Sequence, residues 1–230
     1  GWAAQRSIVA YGIRVGIRTN QPDLLDRLSD YLPPVWRSTS ITRVERLYSL
    51  KIGGPRGFHQ MFEDSEFITK SRSLNEVLED FERRLKLFVA EKARRRVFVH
   101  AGAVGWQGRA ILIPGLSHSG KTSLVVELVR AGATYYSDEY AVLDRQGCVY
   151  PYPQALGLRQ PGSLRQEKCP VEEIGGVVGT RPLPVGLVLA CPYKAGARWR
   201  PLELSPAQAI LELLANTMPA RRKPEVVMPT

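Results

Sequence analysis

Gly115-Leu116-Ser117-His118-Ser119-Gly120-Lys121-Thr122 satisfies the pattern G-x-x-x-x-G-K-[ST] at every fixed position, and its flanks have the character that a phosphate-binding loop (P-loop, Walker A) requires. The apolar run Ala110 to Ile113 reads as a buried strand before the loop. Ser123 to Arg130 reads as a helix behind it, ending at Gly132, a residue type suited to a helix C-cap. Glycines let backbone N–H groups converge on phosphate oxygens, and the helix N-terminus adds the positive end of its dipole. Lys121 is the side chain to reach the β and γ oxygens, and the Thr122 hydroxyl suits Mg²⁺. The expected cofactors are therefore ATP and Mg²⁺, with Gly115, Ser117, His118, Ser119, Gly120, Lys121, Thr122 and Ser123 as the nucleotide-contacting set.

A phosphate loop leaves the reaction open, so the carboxylates matter next. Asp138-Glu139 follows Thr134-Tyr135-Tyr136-Ser137, and adjacent side chains on an extended segment point to opposite sides. One carboxylate can then face Mg²⁺ while the other orients an acceptor hydroxyl and takes its proton. The expected metal ligands are Thr122, Asp138 and Glu139. No apolar strand ends in a lone aspartate, the usual metal-binding carboxylate of triphosphatases, since Val185 to Ala190 runs on to Cys191 and Pro192. His100 ends Val97-Phe98-Val99 and, taken alone, reads as a strand-end histidine.

The chain has 230 residues and 44% hydrophobic content, enough for a sizeable globular core. No apolar stretch reaches membrane-span length and no secretory leader is evident, so a cytoplasmic location is expected. The start at Gly1-Trp2 without methionine reads as trimmed. Cys148, Cys169 and Cys191 are far apart and odd in number, which supports neither a disulfide framework nor a zinc site. With 32 basic and 22 acidic residues, the net charge of +10 favours an anionic partner. The densest basic run, Arg83-Arg84-Lys86 with Lys92 and Arg94-Arg95-Arg96, lies on and after a predicted helix rather than in a nucleic-acid module, so nucleic acid is not the expected partner.

Two units are expected, residues 1–95 as a small N-terminal α+β unit and 96–230 as an α/β P-loop core. Residues 7–18 read as one or two strands broken near Gly12, Pro22 to Leu32 as a helix stopped by Pro33-Pro34, and Val44 to Ile52 as a strand. Ser73-Leu74-Asn75-Glu76 reads as a capping box opening a helix with apolar positions at Leu74, Val77, Leu78, Phe81, Leu85, Phe88 and Val89. Residues 160–184 read as a long loop, Val185 to Ala190 as a buried strand and Pro206 to Leu214 as a helix.

His100-Ala101-Gly102, the loop Gly115 to Thr122 and Ser137-Asp138-Glu139 occur in the order that resembles the HPr kinase family and its compact relatives. The resemblance covers residues 97 to about 162, including Tyr150-Pro151-Tyr152-Pro153 and Leu156-Gly157-Leu158-Arg159. It implies an HPr-kinase-like core, ATP and Mg²⁺ binding, and phosphoryl transfer to a serine hydroxyl, with Lys121, Asp138, Glu139 and His100 as the catalytic group. Two departures stand out: Glu139 where the family usually has Asp, and His118 where small residues are common. Compact members of that family modify ribosomally made peptides such as lasso-peptide precursors, so a peptide or protein serine is the expected acceptor. A free-serine kinase, a regulatory P-loop ATPase without an acceptor and a nucleic-acid-binding ATPase are the alternatives; a homo-oligomer is left open.

Overall fold

The computed structural model describes residues 1–115, 119–159, 166–191, 196, 198 and 200–218, and the chain divides into two compact units, Gly1–Arg95 and Arg96–Thr230. In the first, β1 (Ala4–Ala10) and β2 (Ile13–Thr19) form a hairpin. Its two-residue turn, Tyr11-Gly12, has φ of 51° and 82°, the left-handed geometry that matches the twist of antiparallel strands. The helix expected from Pro22 to Leu32 is a single α turn, α1 (Leu24–Arg27), followed by a 3-10 turn over Leu28–Tyr31. Asp23 supplies no side-chain cap there, so burial of Leu24, Leu25 and Leu28 holds the segment rather than helix propensity.

Strands β3 (Arg37–Thr39), β4 (Arg46–Lys51), β5 (His59–Glu63) and β6 (Glu66–Ser71) complete a six-stranded sheet ordered β3-β1-β2-β4-β5-β6. Helix α2 (Leu74–Lys92) buries Val77, Leu78, Phe81, Leu85 and Val89 in one cluster with the sheet's Ile8, Val15, Ile17, Tyr48, Leu50 and Met61. Half of the expected capping box is present. The Glu76 N–H donates to Ser73 Oγ at 3.4 Å, but the Glu76 carboxylate accepts from the Ser71 hydroxyl at 2.6 Å instead of from the Ser73 amide. The Ser73 amide donates to Ser71 Oγ at 3.0 Å, so a neighbouring serine takes over the second arm.

The second unit is organised by β7 (Val97–Trp106), which turns through Gln107-Gly108 into β8 (Arg109–Pro114). Helix α3 (Lys121–Arg130) follows, then β9 (Thr134–Ser137), β10 (Tyr140–Leu143), β11 (Cys148–Tyr150), β12 (Leu156–Arg159), β13 (Gln166–Cys169), β14 (Leu183–Val188) and α4 (Pro206–Ala215). The pairings β10–β11, β11–β14, β14–β8, β8–β7 and β7–β10 close a five-stranded barrel. Strand β9 pairs farther along β7, and β12 with β13 forms a separate hairpin. Alanines fill much of the core on one side of the sheet, where Ala101, Ala103, Ala110 and Ala141 cluster with Val99 and Leu112. On the other side α3 lays Val125, Val126 and Val129 over Val104 and Ile113.

Two expectations change in the second unit. The strand expected at 185–190 begins at Leu183, and Leu187 is half exposed, because β14 has solvent on one side and reads as an amphipathic rather than a buried strand. The long loop expected at 160–184 contains β13 and a 3-10 turn at Val171–Ile174, held by register with β12 that local periodicity does not reveal; residues 160–165 lie outside the described residues.

Helix α3 reaches β7 because residue 102 has no side chain: a Cβ there would sit 2.6 Å from Val125 Cγ2. Gly102→Ala is expected to destabilise the protein by about 1–3 kcal/mol, read from the urea midpoint, and Val125→Ala in the same chain should recover part of the loss.

Candidate active site

Register brings the three sequence motifs together. Ala101 pairs with Pro114 and Gly102 with Ile113 on one side of β7, while on the other Ala103 pairs with Ser137 and His100 with Tyr140. The start of the glycine-rich loop and the acidic pair therefore lie on opposite flanks of His100-Ala101-Gly102. Backbone bonds tie the row: the Gly115 N–H donates to the His100 carbonyl at 3.3 Å, and the His100 N–H donates to the Asn216 carbonyl at 2.8 Å.

At the loop's first glycine, a Cβ on Gly115 would lie 2.6 Å from Ser119 Oγ, so the Ser119 hydroxyl would have to turn away. Gly120 caps α3 with φ of 89°, a left-handed conformation that favours glycine. Leu116, Ser117 and His118 lie outside the described residues, so the contacts expected of Ser117 and His118 do too. A cleft of ≈ 230 Å³ opens beside the loop, lined by Ile113, Ser119, Gly120, Lys121, Ser123 and Leu124 among others.

Lys121 is buried, and its ammonium donates to the Gly115 carbonyl at 2.6 Å. Burial lowers its pKa from the ordinary lysine value, and the carboxylates of Asp138 and Glu139 oppose that shift. Thr122 Oγ1 donates to Asp138 Oδ2 at 3.2 Å, and the Gly157 N–H donates to the same oxygen at 3.3 Å. The Tyr135 hydroxyl lies 3.0 Å from Asp138 Oδ1 and 2.9 Å from the Gln154 carbonyl, one proton serving two acceptors. Burial raises the Asp138 pKa, with the bonds from Gly157, Tyr135 and Thr122 working in the opposite direction.

Asp138 and Glu139 occupy a bend between β9 and β10 rather than continuous strand. The buried Ser137 hydroxyl shapes that bend by accepting the N–H groups of Glu139 at 3.1 Å and Tyr140 at 2.9 Å. The strict alternation expected of an extended segment is lost there, and both carboxylates act on the Lys121 ammonium. Tyr135, Ser137 and the Gly157 amide are site components that sequence reading missed. Tyr135 and Ser137 stand beside the acids in sequence, but Gly157 is 19 residues from Asp138 and is brought there by the chain path into β12.

The site fits a triphosphate and Mg²⁺. Ser119 Oγ is buried with no hydrogen-bond partner among the described residues, and α3 begins without a side-chain cap or an acidic residue in its first turn, leaving donors and positive dipole for an anion. No cluster of three or more His, Cys, Asp or Glu metal ligands occurs among the described residues. One or two protein oxygens completed by phosphate oxygens is the arrangement Mg²⁺ favours.

His100 is held neutral: burial and the Lys121 ammonium push its pKa down to about 4. An unfolded imidazole protonates near ~6.5, so stability is complete above that pH and falls as pH drops from there towards the folded value. His100→Gln should reduce the loss of Tm between neutral and mildly acidic pH by about 2–4 °C. Asp138→Asn keeps every hydrogen-bond partner, because its amide oxygen accepts from Thr122 and Gly157 while its NH₂ donates to Tyr135. We expect an unchanged or higher Tm for that variant, since the buried charge is gone.

Comparison with protein-family models, curated proteins and solved structures found no match.

Proposed function

We propose that the chain is an ATP-dependent, Mg²⁺-requiring kinase with an HPr-kinase-like P-loop core, transferring the γ-phosphoryl group to a serine hydroxyl of a peptide or protein. The observation that carries this reading is the hydrogen bond from Thr122 Oγ1 to Asp138 Oδ2, 3.2 Å long and joining residues 16 apart in sequence. In P-loop enzymes the metal is held between such a hydroxyl and such a carboxylate. ATP supplies the phosphoryl group, and Mg²⁺ neutralises charge on its oxygens when bound.

The chain's own residues do the rest. Thr122 and Asp138 would hold the metal, with Tyr135 and the Gly157 amide fixing the carboxylate. Lys121 would exchange the Gly115 carbonyl for phosphate oxygens, which are charged acceptors in a buried setting. Glu139, half buried and free of metal duty in this assignment, orients the acceptor hydroxyl and takes its proton. His100 stays neutral beside Lys121, adding no charge, and fixes Gly115 through its carbonyl.

A ribosomally made precursor peptide of the lasso type is the acceptor this reading favours, and a cytoplasmic location accompanies it. Among the described residues no helix is long and apolar enough to cross a membrane.

The test is transfer of label from γ-labelled ATP to serine-containing peptides, HPr or free serine, with free phosphate followed in parallel. Lys121→Ala should reduce transfer by about a hundredfold to a thousandfold. Asp138→Asn and Glu139→Gln should each reduce it by about a hundredfold or more, with ATP binding largely kept in the Glu139 variant. Release of free phosphate with no acceptor labelled would point to a regulatory ATPase instead.

A further inference from the structure

One face of the N-terminal sheet packs on α2; the other carries a second alternating set of side chains. Register places Gln5, Arg18, Ser49, Phe62 and Phe67 in one cross-strand row of that outer face. Lys51, Gln60 and Lys70 form the adjacent row. Towards Gly16 the face is closed, because Leu47 and Val44 stand 3.0 and 3.2 Å from where a Gly16 Cβ would be. Ser49 is buried within its row, whereas Lys51 and Lys70 are exposed and Phe67 is 51% exposed.

The charge on this surface is one-sided. Several cations elsewhere in the unit are paired, as Arg6 is with Asp26 at 2.8 Å, Arg84 with Glu63 at 3.3 Å and Lys86 with Glu82 at 2.7 Å. Arg18, Lys51, Lys70 and the adjoining Arg72 have no carboxylate partner among the described residues, and neither row contains Asp or Glu. Several of these cations are already oriented. The Arg18 guanidinium lies 4.5 Å from the Trp2 ring centroid and donates to Ser49 Oγ at 2.8 Å. Lys70 Nζ and the Arg72 guanidinium lie 4.3 and 5.1 Å from the Phe58 ring. Holding a cation in place before the partner arrives lowers the ordering cost of binding.

We propose that this face is a docking surface for an acidic, extended polypeptide segment, and that the segment belongs to the phosphoryl acceptor, the latter part resting on the kinase reading above. Single-stranded nucleic acid would share the charge complementarity, but it binds such platforms by stacking bases on open aromatic faces. Here cations already lie over the rings of Trp2 and Phe58, and the remaining exposed ring, Phe67, packs edge-on against Phe62 with centroids 5.6 Å apart. The surface therefore offers fixed positive charge beside one apolar contact, which suits carboxylates interspersed with apolar side chains.

Fluorescence anisotropy tests this with the full chain and three labelled probes: a peptide of alternating Glu and Ser, its Gln-for-Glu counterpart, and oligothymidylate. The acidic peptide should bind with an affinity that falls as salt rises, and Lys51→Glu/Lys70→Glu should weaken it by about tenfold or more. Both positions are exposed, so the variant should unfold at the wild-type temperature. The milder pair Lys51→Gln/Lys70→Gln should give a smaller loss in the same direction. Equal binding of the Gln counterpart, no effect of either pair, or tighter binding of oligothymidylate would overturn the proposal. Lys121→Ala should leave peptide binding intact. A bound acidic peptide whose serines the wild type does not label would remove the acceptor assignment and leave the docking surface standing.

Discussion

Val125 occupies the space that a side chain at position 102 would need, and the second unit is arranged around that close approach. The contact presses α3 onto β7 just where β7 is paired on both flanks. Helix α3 begins at Lys121, so the height at which it sits on the sheet fixes where the Lys121 and Thr122 side chains fall relative to Asp138. A bulkier residue at 102 would lift the helix start away from the acidic bend, since close-packed interiors accommodate added volume only by shifting their elements. The glycine is thus a packing device that also sets the geometry of the candidate site.

Burial gives the site its electrostatic character. Lys121 and Asp138 are each pushed towards their neutral forms by desolvation, and each is held towards its charged form by the groups around it. Water can screen these charges only weakly, so they would act more strongly on a charged ligand than exposed ones would. His100, next to Lys121, answers the same environment by staying uncharged. Three ionisable groups thereby differ in how burial and neighbours set their charge, with His100 on β7, Lys121 at the start of α3 and Asp138 in the bend after β9.

Positive charge is used differently in the two units. In the core, Lys121 is enclosed and committed to the loop. On the outer face of the N-terminal sheet, Arg18, Lys70 and the adjoining Arg72 lie over aromatic rings and have no carboxylate partner among the described residues. The net charge of +10 alone cannot distinguish these uses, because composition counts charges without saying which are paired. The basic run on α2 illustrates the point: Arg83 and Arg84 reach Asp80, and Arg84 also reaches Glu63.

Local sequence decided what local physics can encode. The glycines of the loop, the apolar spacing of α2 and α3, and the Tyr11-Gly12 hairpin turn all depend on residues within a few positions of one another, and each element is legible from them. The Gly-x-x-x-x-Gly-Lys-Thr spacing likewise singled out Lys121 and Thr122, and the Ser-Asp-Glu segment singled out Asp138 and Glu139. Tertiary structure alone decided that β14 returns parallel beside β8 and leaves one side to solvent, and that β12 pairs with β13. It also decided that Gly157 donates to Asp138 and that the cations of β2, β4 and β6 share one open face. Those features rest on pairing between distant segments, where register is selected by the whole sheet and its packing; a side chain's neighbours across strands are not written in its own stretch of sequence.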